Sequence, residues 1–437
     1  MKKLLSLVLV LVIVLTSAAA MADLASAKTT DPSASRGITI QQAGPNPWPT
    51  DRTSPTTGRN LDELLADEEE YQDGFMGMAV TGQYYPVMVQ HCGFAGGVGI
   101  GAPFYGSYAD VYYELAKSSA GHSRMCMIFN DFLPTYAGAS RSTRVGYIWI
   151  RQEWNAPYFY QGAQVTDGGP TDVEKATTDL KLPWSGSRDV PWSEKVLFNG
   201  LAGSKQWLKY KYRIQPSELF SECNVVWDLA AAYNELLGAD RSFEDHNHTW
   251  KFGDMAVEGE SAEKIYVLFK DDSAKQLDAG KNTYFYYNSY YEYSPEENVY
   301  HRYMIEDLDN MDTSIPFEEY LVSNPKITTE GNATTSGNTM TATLTKGREI
   351  TFANVIIQYI DMSWDNGGEC PLPKLTGTGN ADYFMGGKRY TGVWQRSTYD
   401  DRTVFYGEDG QEISLQPGRT MIVMMDYKTN HRAVKYE

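Results

Sequence analysis

The sequence predicts an α+β fold: a mixed α/β N-terminal domain followed by a β-rich C-terminal domain. Two observations carry this. Strand-like runs rich in β-branched and aromatic residues, YPVMVQH, RMCMIFN and GYIWI, begin at Tyr84 and are interleaved with a glycine loop and helix-like stretches, an order that gives mixed organisation. From Glu263 onward such runs follow one another across turns such as SPEEN, DNGGE and EDGQ.

Taken in order, the chain of 437 residues opens on what reads as a secretory signal. Lys2 and Lys3 form a basic start, residues 4–15 are apolar, and Ala20, Met21 and Ala22 give small residues at cleavage spacing, with Ala27 as a second cut. The expectation is an exported product without a spanning segment. No cysteine precedes Cys92, so no lipid-anchor cysteine is expected. Loss of Lys2 and Lys3 with the leader leaves 36 basic residues against 56 acidic ones and moves the formal charge from −18 to −20. Such a surface repels nucleic acid and excludes it as a partner, and any anionic ligand needs a locally basic pocket.

Residues 23–60, rich in Ser, Thr and Pro, read as a linker, and LDELLADEEEYQ as a short helix. The N-terminal domain is expected over residues 61–255. Its SYADVYYELAKSS stretch is read as helical from Ser107, and GYIWI as a strand. A G-x-G-x-x-A pattern at Gly97, Gly99 and Ala102 is rejected as a dinucleotide fingerprint, because it does not leave a strand directly and Pro103 interrupts the helix start. No cofactor is expected. NVVWDLAAAYNELLG is the clearest helix. His246 and His248, spaced i, i+2, are weak metal candidates without a third ligand at a suitable spacing. The C-terminal domain is expected over residues 260–430, with residues 305–349 as an exposed insertion. Four cysteines, Cys92, Cys126, Cys223 and Cys370, leave three pairings open, and Cys126 within RMCMIF also reads as a buried thiol.

The chemistry concentrates in residues 109–144. Arg141 and Arg144 are spaced i, i+3, and Arg124 at the head of a strand can join them. Guanidiniums so gathered hold a phosphate or carboxylate bidentately. Asp110 and Glu114 sit one helical turn apart and could neutralise those arginines as an internal network. The ligand-binding candidates are therefore Arg124, Arg141, Arg144 and Asp110. If the protein is an enzyme, Glu114 or Asp131 is the candidate general base.

The segment NVIIQYIDM followed by TGTGNADYFMGGKRYTGVWQRSTYDDRTVFYGEDGQEISLQPGRTMIVMM resembles the second domain of the YerB-like bacterial envelope proteins, the DUF3048 family. ADVYYE stands where that family has ADIVYE, GHSRMCMIF where it has GGITRxMAIF, and GASRSTR where it has GPIRSAR. The resemblance runs from about Tyr84 to Met425. It implies a two-domain α+β fold, a cell-envelope setting and no settled catalytic activity. Family members are usually lipoproteins, and Ser119 here replaces a family glutamate.

The function expected is that of a secreted envelope protein binding an envelope component or protein through an arginine-lined anion site. An envelope glycan-directed hydrolase or phosphotransferase is the alternative, and a purely structural interaction module the third reading.

Overall fold

The computed structural model describes residues 28–30, 36–42, 48–67, 77–91, 105–119, 123–184, 190, 194–201, 210–215, 225–237, 249–254, 258–269, 288–303, 327–336, 339–428 and 433–437. The leader, His246, His248, Cys92, Cys223, the glycines at 97–101 and residues 305–326 of the expected insertion lie outside them.

The protein is predominantly β. The N-terminal half supplies strands β1 (Lys28–Thr29), β2 (Val87–His91), β3 (Val111–Ala116), β4 (Ser123–Phe129), β5 (Tyr136–Ser140), β6 (Tyr158–Tyr160), β7 (Leu197–Asn199), β8 (Lys211–Gln215) and β9 (Val225–Asp228). Helices α1 (Leu61–Ala66), α2 (Met78–Thr81), α3 (Val145–Trp154), α4 (Val173–Asp179) and α5 (Leu229–Leu237) are set among them. The C-terminal half adds β10 (Lys264–Leu268), β11 (Asn288–Ser294), β12 (Val299–Tyr303), β13 (Ile327–Ser336), β14 (Thr339–Glu349), β15 (Asn354–Asp365), β16 (Cys370–Lys374), β17 (Gly377–Met385), β18 (Lys388–Arg396), β19 (Val404–Gly407), β20 (Thr420–Asp426) and β21 (Ala433–Tyr436).

One sheet spans both halves. Its strands follow the order β18, β17, β15, β20, β3, β4, β2, β6, β7. β20 runs parallel to β15 on one side and to β3 on the other, so the last long strand of the chain joins its two halves. Strands at such a position are covered on both faces and read as continuous apolar runs, and every residue of β20 is buried. Tyr112 and Ala116 of β3 enter one core, with Met125 and Met127 of β4. Val111, Tyr113 and Leu115 enter a second core on the opposite face, with Ile128 of β4 and Tyr147, Ile148 and Ile150 of α3. The first face also meets a sheet built of β1, β21, β10, β11 and β12. The hairpin β13–β14, within the segment expected as an insertion, pairs in parallel through β14 with β8 in a five-stranded sheet.

Two sequence expectations are corrected. The stretch read as helical from Ser107 holds only a single 3-10 turn, Gly106–Tyr108, before β3. Its apparent helical spacing arises because both faces of β3 are buried, which removes the polar alternation that marks a half-exposed strand. GYIWI is not a strand but the start of α3, a helix buried nearly all round, Arg151, Gln152 and Glu153 included, so that no polar face marks its period. Gly146 lets α3 seat on the sheet: a Cβ there would lie 2.7 Å from Pro373 and 2.9 Å from Leu115.

The segment expected as a linker is laced onto the sheets. Thr29 pairs with Lys435, and the Thr30 and Tyr359 hydroxyls lie 2.5 Å apart. Arg36 donates to Asp382 at 2.7 Å and to the Gly392 carbonyl at 2.8 Å. Ser54, Thr56 and Thr57 are fully buried. Arg36→Ala should cost about 1–3 kcal/mol in urea unfolding, because the buried Asp382 keeps Arg389 and the Tyr359 hydroxyl but loses one charged partner.

Candidate functional site

The β3–β4 hairpin separates residues that the sequence places together. Its two strands pair antiparallel from Val111 opposite Ile128 to Ala116 opposite Ser123. With five steps of about 3.3 Å between its six residues, the two ends of β3 lie roughly 17 Å apart. One end is acidic, the other basic.

At the acidic end, Asp110 Oδ2 accepts the backbone N–H groups of Asn130 at 2.6 Å and Asp131 at 2.8 Å. Asp110 Oδ1 is buried and accepts no hydrogen bond. Asp131 takes the Ser54 hydroxyl on one oxygen and the Thr57 hydroxyl on the other, each at 2.5 Å. Arg59 lies 3.8 Å from Asp110 and 3.7 Å from Asp131, bridging the pair. Burial, and then the neighbouring Asp131 charge, push the Asp110 carboxyl well above the usual carboxylate range, against the pull of Arg59. Asp110 therefore does not join Arg124, Arg141 and Arg144, a correction to the grouping expected from sequence. It holds a loop and the N-terminal segment.

Midway along the strand, Glu114 points to the face opposite Leu115. It accepts the Ser123 hydroxyl at 2.6 Å, and on its other oxygen Arg302 and the Ser289 hydroxyl, both at 3.2 Å. Both side chains of the Glu114–Arg302 pair are at most 2% exposed. Burial works against the Arg302 charge, but Glu114 and Tyr291 outweigh it and raise the guanidinium's pKa. The sequence offered Glu114 as partner for the arginines of its own stretch, and the structure gives it one 188 residues away.

The basic end gathers Arg124, Arg141 and Arg144. Arg124 lies opposite Leu115, hence on the α3 face, and donates to the Ser142 carbonyl. Arg144, at the N-cap of α3, donates to the Thr143 carbonyl at 3.0 Å and reaches the Ser142 carbonyl at 3.5 Å. The helix has neither a side-chain cap nor an acid in its first turn, so its positive end adds to the cluster. Burial lowers the pKa of Arg144. Sequence reasoning missed the fourth cation, Lys117, just past the end of β3. Burial first, then Arg124 and Arg144 together with Arg141, bring its amine down to about 8, with Glu369 opposing.

Neither Glu114 nor Asp131 meets the arginine cluster as a base. Cys126 and Cys370 are buried free thiols. Among the described residues no group of His, Cys, Asp and Glu side chains is arranged to hold a metal ion. Nor is any described helix long and apolar enough to cross a membrane. A separate cleft of about 880 Å³, lined among others by Glu258, Glu260, Glu408, Asp409 and Glu412 with Arg389, carries the opposite charge.

The architecture and its charged hairpin define a β-dominated protein with one sheet shared between its halves. Comparison gives it a family setting. Residues 280–422 match the family described as "Protein of unknown function (DUF3048) C-terminal domain". No curated protein matches the chain. The crystal structure of YerB protein from Bacillus subtilis is similar at a TM-score of 0.54 and 15% identity, covering 87% of this chain and 99% of that one. The chain is thus similar in fold to YerB, and its residues 280–422 resemble the DUF3048 C-terminal domain.

Proposed function

We propose that the protein is an exported, non-catalytic binding protein of the cell envelope. It takes a phosphate- or carboxylate-bearing envelope component at the basic end of the β3–β4 hairpin. The observation that carries the reading is the gathering of Lys117, Arg124, Arg141 and Arg144 at the α3 N-terminus, while Asp110 and Glu114 are committed to Arg59 and Arg302. In a chain of net charge −18, such a cluster is a local reversal of sign. Guanidiniums supply paired donors for an oxyanion, and an uncapped helix start supplies backbone N–H groups. Export is read from the leader sequence, and the family resemblance supplies the envelope setting.

The test is titration with inorganic phosphate and with glycerol-phosphate fragments of cell-wall polymers. Arg144→Ala leaves the backbone of the helix start in place and should weaken both by about tenfold or more, a loss of about 1.4 kcal/mol. Affinity should also fall as salt is raised. Unchanged affinity in the variant would overturn the assignment.

A further inference from the structure

Exposed apolar side chains collect beside the basic end of the hairpin. Among the described residues the large apolar side chains that stand exposed are Val80, Val165, Trp184 and Leu201. Three of these four sit on segments that pair with the arginine-bearing one or with each other. The Gln161 N–H donates to the Arg141 carbonyl at 3.1 Å and the Thr143 N–H to the Gly162 carbonyl at 2.9 Å, so residues 141–143 run beside residues 161–163. Val165 follows two residues after Ala163, which bridges Thr143. Tyr160 pairs with Asn199 of β7, and the Asn199 side-chain oxygen accepts the N–H groups of Gly162 at 2.9 Å and Leu201 at 3.0 Å. Trp184 bridges Leu197 of the same strand.

Leu201 comes closest to the guanidiniums. A Cβ on Gly162 would lie 2.9 Å from Leu201 Cδ1 and 3.2 Å from Ser142 Oγ, so the leucine and the serine flank one point. Leu201 is nevertheless 65% exposed. The Ser142 carbonyl is the one towards which both Arg124 and Arg144 donate. Arg144 Nε is buried and meets no acceptor among the described residues, which leaves a guanidinium N–H for a ligand to satisfy.

We propose that this end of the molecule docks on a bilayer surface carrying anionic phosphate headgroups, with Arg141 and Arg144 on the phosphates and Leu201, flanked by Val165 and Trp184, entering the headgroup layer. This rests on the anion-site reading and names what carries the anion, a membrane lipid. Apolar residues scattered singly over a surface need no explanation, but three of four beside a guanidinium cluster do. Neither half suffices alone. A basic residue at an anionic surface is worth about fivefold in affinity, and apolar side chains add to it by leaving water, tryptophan favouring the interfacial layer. Together they give a reversible attachment that depends on lipid charge. A net charge of −18 disfavours approach to such a membrane by other faces, so the docking also sets the orientation of the molecule. Val80 supplies a control. It belongs to α2, whose Met78 and Ala79 N–H groups donate to the Asn130 and Asp131 carbonyls at the acidic end of the hairpin.

The experiment uses the chain as it stands after loss of the leader, from Asp23 on, so that residues 4–15 cannot insert. It is sedimented with vesicles of phosphatidylcholine, with and without phosphatidylglycerol, and dialysed in parallel against inorganic phosphate. The expected result is binding to the mixed vesicles, little to phosphatidylcholine alone, and weakening as salt is raised. Leu201→Gln should weaken vesicle binding about tenfold and leave phosphate binding unchanged. Arg144→Gln should weaken both, with a loss of about fivefold on vesicles, and Val80→Gln should change neither. Equal binding to the two kinds of vesicle would overturn the docking, as would vesicle binding that Leu201→Gln leaves intact or that Val80→Gln weakens as much. Phosphate binding without vesicle binding would sink the docking and leave the anion site standing, and absence of both would sink both.

Discussion

Arg302→Ala is expected to destabilise the protein by about 3–5 kcal/mol, the largest single effect anticipated for a side chain remote from the basic cluster. The guanidinium is shut between β11, β12 and the central sheet, donating to Glu114, to the Ser289 hydroxyl at 2.9 Å and to the Tyr291 hydroxyl at 3.3 Å. Removing it leaves a carboxylate with almost no access to water and, among the described residues, two serine hydroxyls for company. That loss exceeds the worth of the pair itself, because charges taken out of water are expensive unless matched. The double variant Glu114→Gln, Arg302→Met should therefore recover much of the difference. Urea unfolding with an unchanged slope would report it. A single variant within about 1 kcal/mol of the parent would mean that water reaches the pair.

Asp110→Asn should act in the other direction, making the protein more stable at neutral pH. The folded-state carboxyl holds its proton to higher pH than an unfolded aspartate, which titrates near 3.9. Between those two values the native state binds more protons than the unfolded chain. Asp110's contribution is thus fully present below the unfolded value and is lost as pH rises through the folded one. Each pH unit in that window costs about 1.4 kcal/mol. Asparagine keeps an oxygen for the two backbone N–H groups of Asn130 and Asp131 and removes the charge beside Asp131. Unfolding midpoints taken in pH steps should show a flatter acid-to-neutral slope for the variant. An identical slope, or lower stability at pH 7, would refute the account.

The parts legible in the sequence are those with one polar face or a long apolar run. The C-terminal strands from KIYVLFK to RTMIVMM fall where their composition puts them, as do β2 and β4. The failures sit where burial is two-sided. β3 and α3 are both buried nearly all round, so helix and strand periods become indistinguishable there. The arginine cluster was visible, because i, i+3 spacing and a strand start are local properties. The partners of the neighbouring carboxylates were not, since Arg59 and Arg302 reach Asp110 and Glu114 from segments about 50 and 190 residues away, and no local pattern records such a pairing.

The placement of β20 sets an order of events during synthesis. β3 has β4 as an immediate neighbour in the chain, but its other edge waits for a strand made roughly three hundred residues later. Until then an apolar edge with unpaired backbone groups stays open, the kind of surface on which nascent chains misassociate. The central sheet is therefore closed only when the chain is whole, so its halves cannot mature one after the other.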